Sequence, residues 1–97
     1  MYAIALDLDQ ENLSKIYGSI HYTNAYNDIT RHLNELGFER QQGSLYFGKN
    51  TINAVHCVLA VQSLAKKYSW FAPSVKDVRM LRIEDNNDLM PAIYSLY

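Results

Sequence analysis

Apolar and polar residues alternate along the first nine positions of the chain with the two-residue period of a β-strand. The even positions are large and apolar, while the odd positions are Ala3, Ala5, Asp7 and Asp9. One face of the predicted strand is therefore small at one end and acidic at the other. Because a carboxylate on a strand is costly to bury unless it is paired, hydrogen-bonded or bound to a cation, Asp7 requires a structural or a chemical partner.

Two later stretches have the spacing of amphipathic helices. Apolar residues recur at helical intervals over residues 23–36, and Gly37 stands where a left-handed cap would end that helix. A second helix is predicted to begin at a Thr51 cap and to end near Lys66 and Lys67, which complement the helix dipole. Residues 10–21 lack clear periodicity and are predicted to form a loop.

Three further strands are expected. Residues 38–41 and 45–47 are predicted to form a hairpin, with Gly43 supplying the tight turn. The last strand is predicted over 75–84, where either both faces are covered or a bulge at Met80-Leu81 shifts the register. The apolar tail over 88–97 is expected to dock onto another surface, with a partner subunit as one candidate.

The order strand, helix, strand, strand, helix, strand predicts an α+β fold, the ferredoxin-like βαββαβ arrangement, in a single domain over residues 1–97. Right-handed crossovers would place both helices on one face of an antiparallel sheet. The face that carries Ala3, Ala5 and Asp7 would then be open. Sheet-to-sheet homodimerisation would cover it, and a two-fold axis near Asp7 would bring two carboxylates together.

Composition narrows the classes of protein. The chain has 97 residues, of which 48% are hydrophobic and 20% charged, as expected for one folded globular domain. A net charge of −1 argues against the basic stripe of a non-specific nucleic-acid binder, so any such contact must use a local patch. Cys57 is the single cysteine and has no metal-ligand spacing, which indicates a buried thiol.

Compartment and association are indicated by other features of the composition. No apolar run approaches the ~20 residues of a membrane span, and the first residues lack the pattern of a secretion signal. A cytoplasmic protein is therefore expected. Eight tyrosines in so short a chain favour self-association, because tyrosine is common where one end of a side chain is apolar and the other is wet.

Four stretches of the sequence together resemble the virulence-associated protein D (VapD) family, and the resemblance extends over nearly the whole chain: residues 1–8, 25–29, 42–46 and 74–84. It implies a modified ferredoxin-like fold, a dimer, and endoribonuclease activity as the toxin of a bacterial toxin–antitoxin system, with a small antitoxin protein as partner. The family is also similar in structure to a small nuclease-like subunit of the CRISPR adaptation machinery. Asp7 matches the acidic residue that ends its first strand, and Ser44 matches a family serine implicated in activity.

Asp7 and Ser44 are the candidate catalytic residues. Asp7 is suited to acid–base work, or to holding Mg²⁺ or Mn²⁺ shared with a dimer mate; the alternative is that it accepts hydrogen bonds from the backbone or from Ser44 at the strand end. Ser44 is a candidate for binding phosphate or positioning a proton, although serine in a turn commonly satisfies local backbone groups. His21, His32 and His56 form no pair by sequence logic and are assigned structural roles.

Three basic residues share the last predicted strand, and Lys76, Arg79 and Arg82 are therefore candidates for RNA binding. Three acidic residues, Asp77, Glu84 and Asp85, are interleaved with them, so a structural ion-pair network is the alternative. Four aromatic residues are candidates for stacking on unpaired bases, although core packing is the more frequent use: Tyr46, Phe47, Trp70 and Phe71. For the whole protein, the rival to an RNA-cleaving enzyme is a non-catalytic dimeric binding or regulatory module with the same fold.

Overall fold

In the part of the chain that the structure describes, four antiparallel strands form one sheet in the order β2-β3-β1-β4. The computed structural model describes residues 1–17 and 23–96. The strands lie close to the predicted positions: β1 (Tyr2–Leu8), β2 (Phe38–Gln42), β3 (Leu45–Gly48) and β4 (Val75–Arg82). The predicted hairpin is confirmed, because β2 and β3 are joined at Gly43, whose φ of +51° suits a tight turn. The α+β class is confirmed, and the arrangement is compatible with a ferredoxin-like fold.

The described residues form five helices beside the sheet: α1 (Gln10–Tyr17), α2 (Thr23–Glu35), α3 (Ala54–Lys67), α4 (Phe71–Ser74) and α5 (Met90–Tyr94). The two predicted helices correspond to α2 and α3, and Gly37 follows α2 with a φ of +96°. The predicted Thr51 cap is wrong. Asn53 caps α3 instead: its side chain accepts a hydrogen bond from the His56 amide, and the His56 ring accepts one from the Asn53 amide.

The expected loop over residues 10–21 is wrong for its first part, which forms α1. Asp9 explains this helix, because its carboxylate accepts a hydrogen bond from the Asn12 amide at 3.1 Å and its carbonyl accepts one from the Leu13 amide. Leu13 is fully buried and anchors the helix to the core. A single anchor on two turns leaves a weak periodic signal, which is why the pattern alone indicates a loop. The rest of that stretch, residues 18–21, lies outside the described residues.

The core lies between the helices and one face of the sheet. Ile4, Leu6 and Leu8 supply the central strand's share of it, and Ile29 and Leu33 of α2 are fully buried against that side. The remaining core residues come from β2, β3 and the later helices: Phe38, Tyr46, Cys57, Ala60, Leu64, Trp70 and Phe71. The even face of β1 therefore meets the helices, as its alternation predicts.

The opposite face of the sheet carries the odd residues of β1. Ala3 lies opposite Phe47 and Leu81, and Ala5 lies opposite Leu45 and Arg79. Strict alternation runs through Met80 and Leu81, so the bulge considered there is absent and both faces of β4 carry apolar residues. The irregularity in this strand pair lies between Asp7 and Leu8 instead. We call this surface the open face.

The tail that follows β4 is apolar and exposed. Leu89, Ile93 and Leu96 are 71%, 49% and 83% exposed, respectively. The Cα radius of gyration is 15.1 Å, against about 12.5 Å for a compact chain of this length. A cavity of about 630 Å³ lies between the tail and the open face beside Leu45 and Phe47. The tail therefore crosses the open face without packing closely on it. Among the described residues, no helix is long and apolar enough to cross a membrane.

Candidate functional site

Asp7 lies near the end of β1 on the open face, and its side chain is exposed. The antiparallel register places it directly opposite Asp77 of β4. Side chains of directly opposed residues on such a pair project from the same face, with Cα atoms about 4.5–5.5 Å apart. Two carboxylates, from the first and last strands, are therefore neighbours on an accessible surface.

Arg79 is the cation that accompanies this acidic pair. Its Nε donates to both carboxylate oxygens of Asp77, each at 3.1 Å. It lies opposite Ala5, two residues from Asp7 along the same face, and the small alanine leaves room beside it. Arg79 is 72% exposed and Asp77 48%, so the ion pair lies at the surface and contributes little to stability. Among the described residues, none donates a hydrogen bond to the Asp7 carboxylate, whereas a purely structural role for Asp7 would require such bonds.

The register shift beside Asp7 shapes the end of the site. Asp7 pairs with Asp77, but Leu8 pairs with Val75, which leaves Lys76 as the extra residue of a bulge. Lys76 is exposed, and it directly precedes Asp77 in the sequence. Beyond the bulge, the Asp9 amide donates to the Ser74 carbonyl at 2.8 Å, which joins the end of β1 to the start of β4. Asp9 itself is half-buried in its capping role.

Ser44 adjoins the same end of β1 from the other side. The Leu6 amide donates to the Ser44 carbonyl at 2.9 Å, which extends the pairing of β1 with β3 by one residue. Ser44 is half-buried and level with Leu6, one position from Asp7. In the described part of the chain its hydroxyl makes no hydrogen bond with Asp7. The structure therefore brings the Ser44 backbone close to Asp7 without joining their side chains.

The three basic residues of β4 do not form one patch. Arg79 shares the open face with Asp7, whereas Arg82 lies opposite Tyr2 at the far end of the strand, on the face that carries the helices. Arg82 also approaches Glu84 at 3.7 Å. Because side chains alternate along a strand, the odd spacing of residues 79 and 82 places them on opposite faces. Only Arg79 and Lys76 lie near the acidic pair.

The two histidines that the structure describes have structural roles away from this site. His32 is buried between α2 and α3, where its Nε2 lies 2.7 Å from the Ser63 hydroxyl, and burial lowers its pKa. His56 belongs to the α3 cap, and His21 lies outside the described residues. Cys57 is buried, which confirms the prediction of a buried thiol, and burial raises the pKa of that thiol.

The aromatic candidates are also mostly structural. Tyr46, Trp70 and Phe71 are buried in the core. Phe47 is the exception, because it is half-buried and lies opposite Ala3 on the open face. Core packing is therefore confirmed for three of the four residues.

Sequence reasoning missed the pairing of Asp77 with Asp7. The sequence shows Asp77 only as an acid among basic residues, which suggests an ion-pair network. Its place opposite Asp7 depends on the register of two strands that are 70 positions apart in sequence. The alternation of side chains along the two strands could have indicated it. Val78 and Met80 face the core, as the even residues of β1 do, so the odd-numbered Asp77 must lie on the same face as Asp7 if the two strands are neighbours.

The donor set defines what metal this surface could hold. No group of three or more metal-binding side chains occurs within residues 1–17 and 23–96. Asp7 and Asp77 offer two carboxylates, which fit Mg²⁺ or Mn²⁺ that retains most of its water, since Mg²⁺ commonly binds through one or two carboxylates. They do not fit a cation that requires a complete protein cage.

Fold and site together define a small α+β protein that presents two paired carboxylates and an arginine, Arg79, on the open face of its sheet. A scan against models of protein families gives no match. The chain is 55% identical to Endoribonuclease VapD 2 of Riemerella anatipestifer over 96% of its own length and 99% of that protein. It is 54% identical to an Endoribonuclease VapD homolog of Helicobacter pylori, with 96% of each chain covered. Endoribonuclease VapD of Dichelobacter nodosus is 41% identical over 91% of each chain.

Identity at this level over nearly complete chains establishes kinship. The chain belongs to the VapD family of endoribonucleases.

Proposed function

We propose that this protein cleaves RNA at the Asp7–Asp77 pair on the open face. The observation that carries this proposal is the direct opposition of two exposed carboxylates, one of them held by Arg79. Like charges placed directly opposite on paired strands are unfavourable for folding. An arrangement that costs stability at an accessible surface is typical of a functional site. The names of the relatives support RNA as the substrate.

In the first route, Asp7 is the general base. Its carboxylate removes the proton from a ribose 2′-hydroxyl, and the 2′ oxygen forms a bond to the adjacent phosphorus. The bond from phosphorus to the 5′ oxygen breaks, and that oxygen takes up a proton from an acid or from water. The products are a 2′,3′-cyclic phosphate and a 5′-hydroxyl end. Asp77, paired with Arg79, remains ionised and orients the site.

In the second route, the two carboxylates hold Mg²⁺ or Mn²⁺. Such an ion, when bound, lowers the pKa of a coordinated water and offsets the charge of the phosphate. The residues of this chain then bind and orient: Asp7 and Asp77 fix the cation, and Arg79 directs the scissile phosphate. Hydrolysis leaves a phosphate on one end and a hydroxyl on the other, with no cyclic product, so the ends of the fragments distinguish the two routes.

Substrate binding is assigned to the basic residues beside the pair. Arg79 offers a forked donor with a free edge at the open face, and the bulge exposes Lys76 next to it. Arg82 lies on the other face at the far end of β4 and is not assigned to this phosphate-binding surface. Ser44 is assigned the binding of a phosphate oxygen at the turn, because its position next to Leu6 places it beside the end of β1.

The experiment compares four purified proteins on a labelled single-stranded RNA, with and without Mg²⁺ or Mn²⁺. Asp7→Asn and Asp77→Asn should each lower the cleavage rate by at least ~100-fold, the usual scale for loss of an acid–base group. Glu11→Gln removes a carboxylate that is 81% exposed on α1 and should cleave like the natural protein. Equal cleavage by the natural protein and Asp7→Asn would exclude Asp7 from the reaction. Absence of cleavage by all four would instead favour the non-catalytic binding module.

The same proposal includes the biological setting that the resemblance implies. The protein acts as a toxin in the cytoplasm, is restrained by a small antitoxin protein, and works as a homodimer whose open faces approach each other. The small side chain of Ala5 and the 41% exposure of Leu81 on that face support such an approach. Light scattering on the purified protein tests the dimer, and co-expression with a neighbouring small gene product tests the antitoxin.

A further inference from the structure

Helix α3 presents a second apolar surface, on the side of the sheet away from Asp7. Val55, Val58 and Leu59 are 62%, 52% and 55% exposed, although the helix is packed on the core through Cys57, Ala60 and Leu64. A helix that is apolar on its outer side as well as its inner side is incompletely covered. Exposed apolar residues concentrated in one patch mark an interaction site more often than scattered ones do.

A groove runs between this helix and the edge strand β4. Its volume is about 240 Å³, and its walls include Val58 and Val61 of α3 and Val78 and Met80 of β4. The side chain of Met80 lies on the face of the sheet that carries the helices, but it is 48% exposed because β4 is an edge strand of the sheet. We call this feature the α3–β4 groove. The groove is apolar and stays open because α3 does not cover the edge of the sheet at β4.

Charge indicates what kind of segment fits the groove. Helix α3 contains no acidic residue, and its last turn carries Lys66 and Lys67. Lys66 lies four positions after Gln62, which lines the groove, so it extends the same row of side chains. Two copies of α3 packed on each other would bring cations together without counter-charges. An apolar segment that begins with acidic residues would be complementary.

The chain itself contains such a segment. Residues 83–96 include Glu84, Asp85 and Asp88 and no basic residue, and they are followed by exposed apolar side chains at helical spacing, Leu89, Met90, Ile93 and Tyr94. This tail crosses the open face of its own sheet without packing closely on it, as the radius of gyration and the cavity beneath it indicate.

We propose that the tail of one protomer docks into the α3–β4 groove of a second copy, with its acidic residues toward Lys66, so that the homodimer is held by reciprocal exchange of tails. The inference rests on the proposed homodimer and specifies its contacts. In a dimer of approaching open faces, the tail passes around the partner's exposed β4 edge to reach the groove behind it. Exchange of a terminal segment between identical chains is an established route to dimers.

Disulfide trapping tests this proposal in the full chain. In a Cys57→Ala background, Val58→Cys and Ile93→Cys are introduced into separate proteins, which are mixed and oxidised. The expected product is a covalent dimer that contains one chain of each kind. A control mixture replaces Val58→Cys with Ile16→Cys, at a 48% exposed apolar residue on α1, and should give no enrichment of the mixed dimer.

The double variant Val58→Cys/Ile93→Cys then identifies the direction of docking. A disulfide within one chain, with no mixed dimer from the single variants, would show docking in cis and would overturn the proposal. Absence of any specific disulfide would overturn it as well. Because no RNA is present, these results do not depend on whether Asp7 is catalytic. If the protein dimerises but forms no specific disulfide, the proposed homodimer stands and only the tail exchange is excluded.

A second measurement requires no engineered cysteines. Val58→Glu places a charge in the apolar groove and should raise the dimer dissociation constant by at least ~10-fold. Lys66→Glu should also weaken the dimer, because it would meet an acidic tail, whereas Lys15→Glu on α1 should leave the constant unchanged. Unchanged dimerisation of both Val58→Glu and Lys66→Glu, measured by sedimentation, would contradict the proposal.

Discussion

Asp7→Asn is expected to abolish RNA cleavage while leaving the folded protein slightly more stable than the natural one. A residue kept for architecture behaves in the opposite way, because its loss removes hydrogen bonds and lowers stability. Asp7 is exposed, accepts no side-chain hydrogen bond in the described part of the chain, and lies directly opposite Asp77. Its removal therefore relieves a repulsion and breaks no contact.

The size of the effect follows from the register. Two unit charges about 5 Å apart in water repel by about 0.8 kcal/mol, and measured cross-strand pairs fall within about 0.2–1 kcal/mol. Arg79 offsets part of this repulsion, because its Nε donates to both carboxylate oxygens of Asp77. We expect Asp7→Asn to gain about 0.5 kcal/mol at low ionic strength, which is about 2–4 °C in Tm for a domain of this size. Salt should diminish the gain, since it screens exposed charges.

Urea unfolding of the natural protein, the two single variants and the double variant Asp7→Asn/Asp77→Asn measures this coupling directly. Asp77→Asn should change stability little, because it relieves the same repulsion but loses the Arg79 pair. The double variant should show that the two substitutions are not additive. A loss of more than about 1 kcal/mol in Asp7→Asn, a cost on the scale of an unsatisfied buried polar group, would refute the reasoning and indicate a structural carboxylate.

Three further predictions concern the scaffold. Burial lowers the pKa of His32 below its unfolded value of about 6.5, so the folded state binds fewer protons than the unfolded state. The free energy of unfolding should therefore be highest above pH ~6.5 and fall as the pH drops through the folded pKa. His32→Gln should flatten this pH dependence, measured by urea unfolding. Leu33→Ala should cost about 2–5 kcal/mol because Leu33 is fully buried, whereas Leu36→Ala, at a residue 40% exposed, should cost less than about 1 kcal/mol; a comparable loss in both would contradict the assigned core. Gly43→Ala should cost about 1 kcal/mol through its positive φ alone, because no atom lies within 4 Å of an added Cβ, and Gly43→Asn should cost less in the same thermal assay.

Local patterns determined much of this protein. The alternation of β1 specified which of its faces meets the core, and the periods of α2 and α3 specified two of the helices, because burial of one apolar face is the dominant favourable term in folding. The glycines at positions 37 and 43 marked a helix end and a hairpin turn, where a positive φ is needed. Each of these features depends on residues that are close together in the chain.

Tertiary structure decided the rest. Helix α1 forms because Asp9 caps it and because a single leucine, Leu13, reaches a core built by distant segments. The acidic pair exists because the first and last strands are neighbours in one register, and shifting that register by one residue would move Asp77 to the other face. The sequence by itself determined that Asp7 would lie on the face of β1 away from the core. Only the sheet decided which side chain it would meet, since strand pairing joins residues that no local pattern relates.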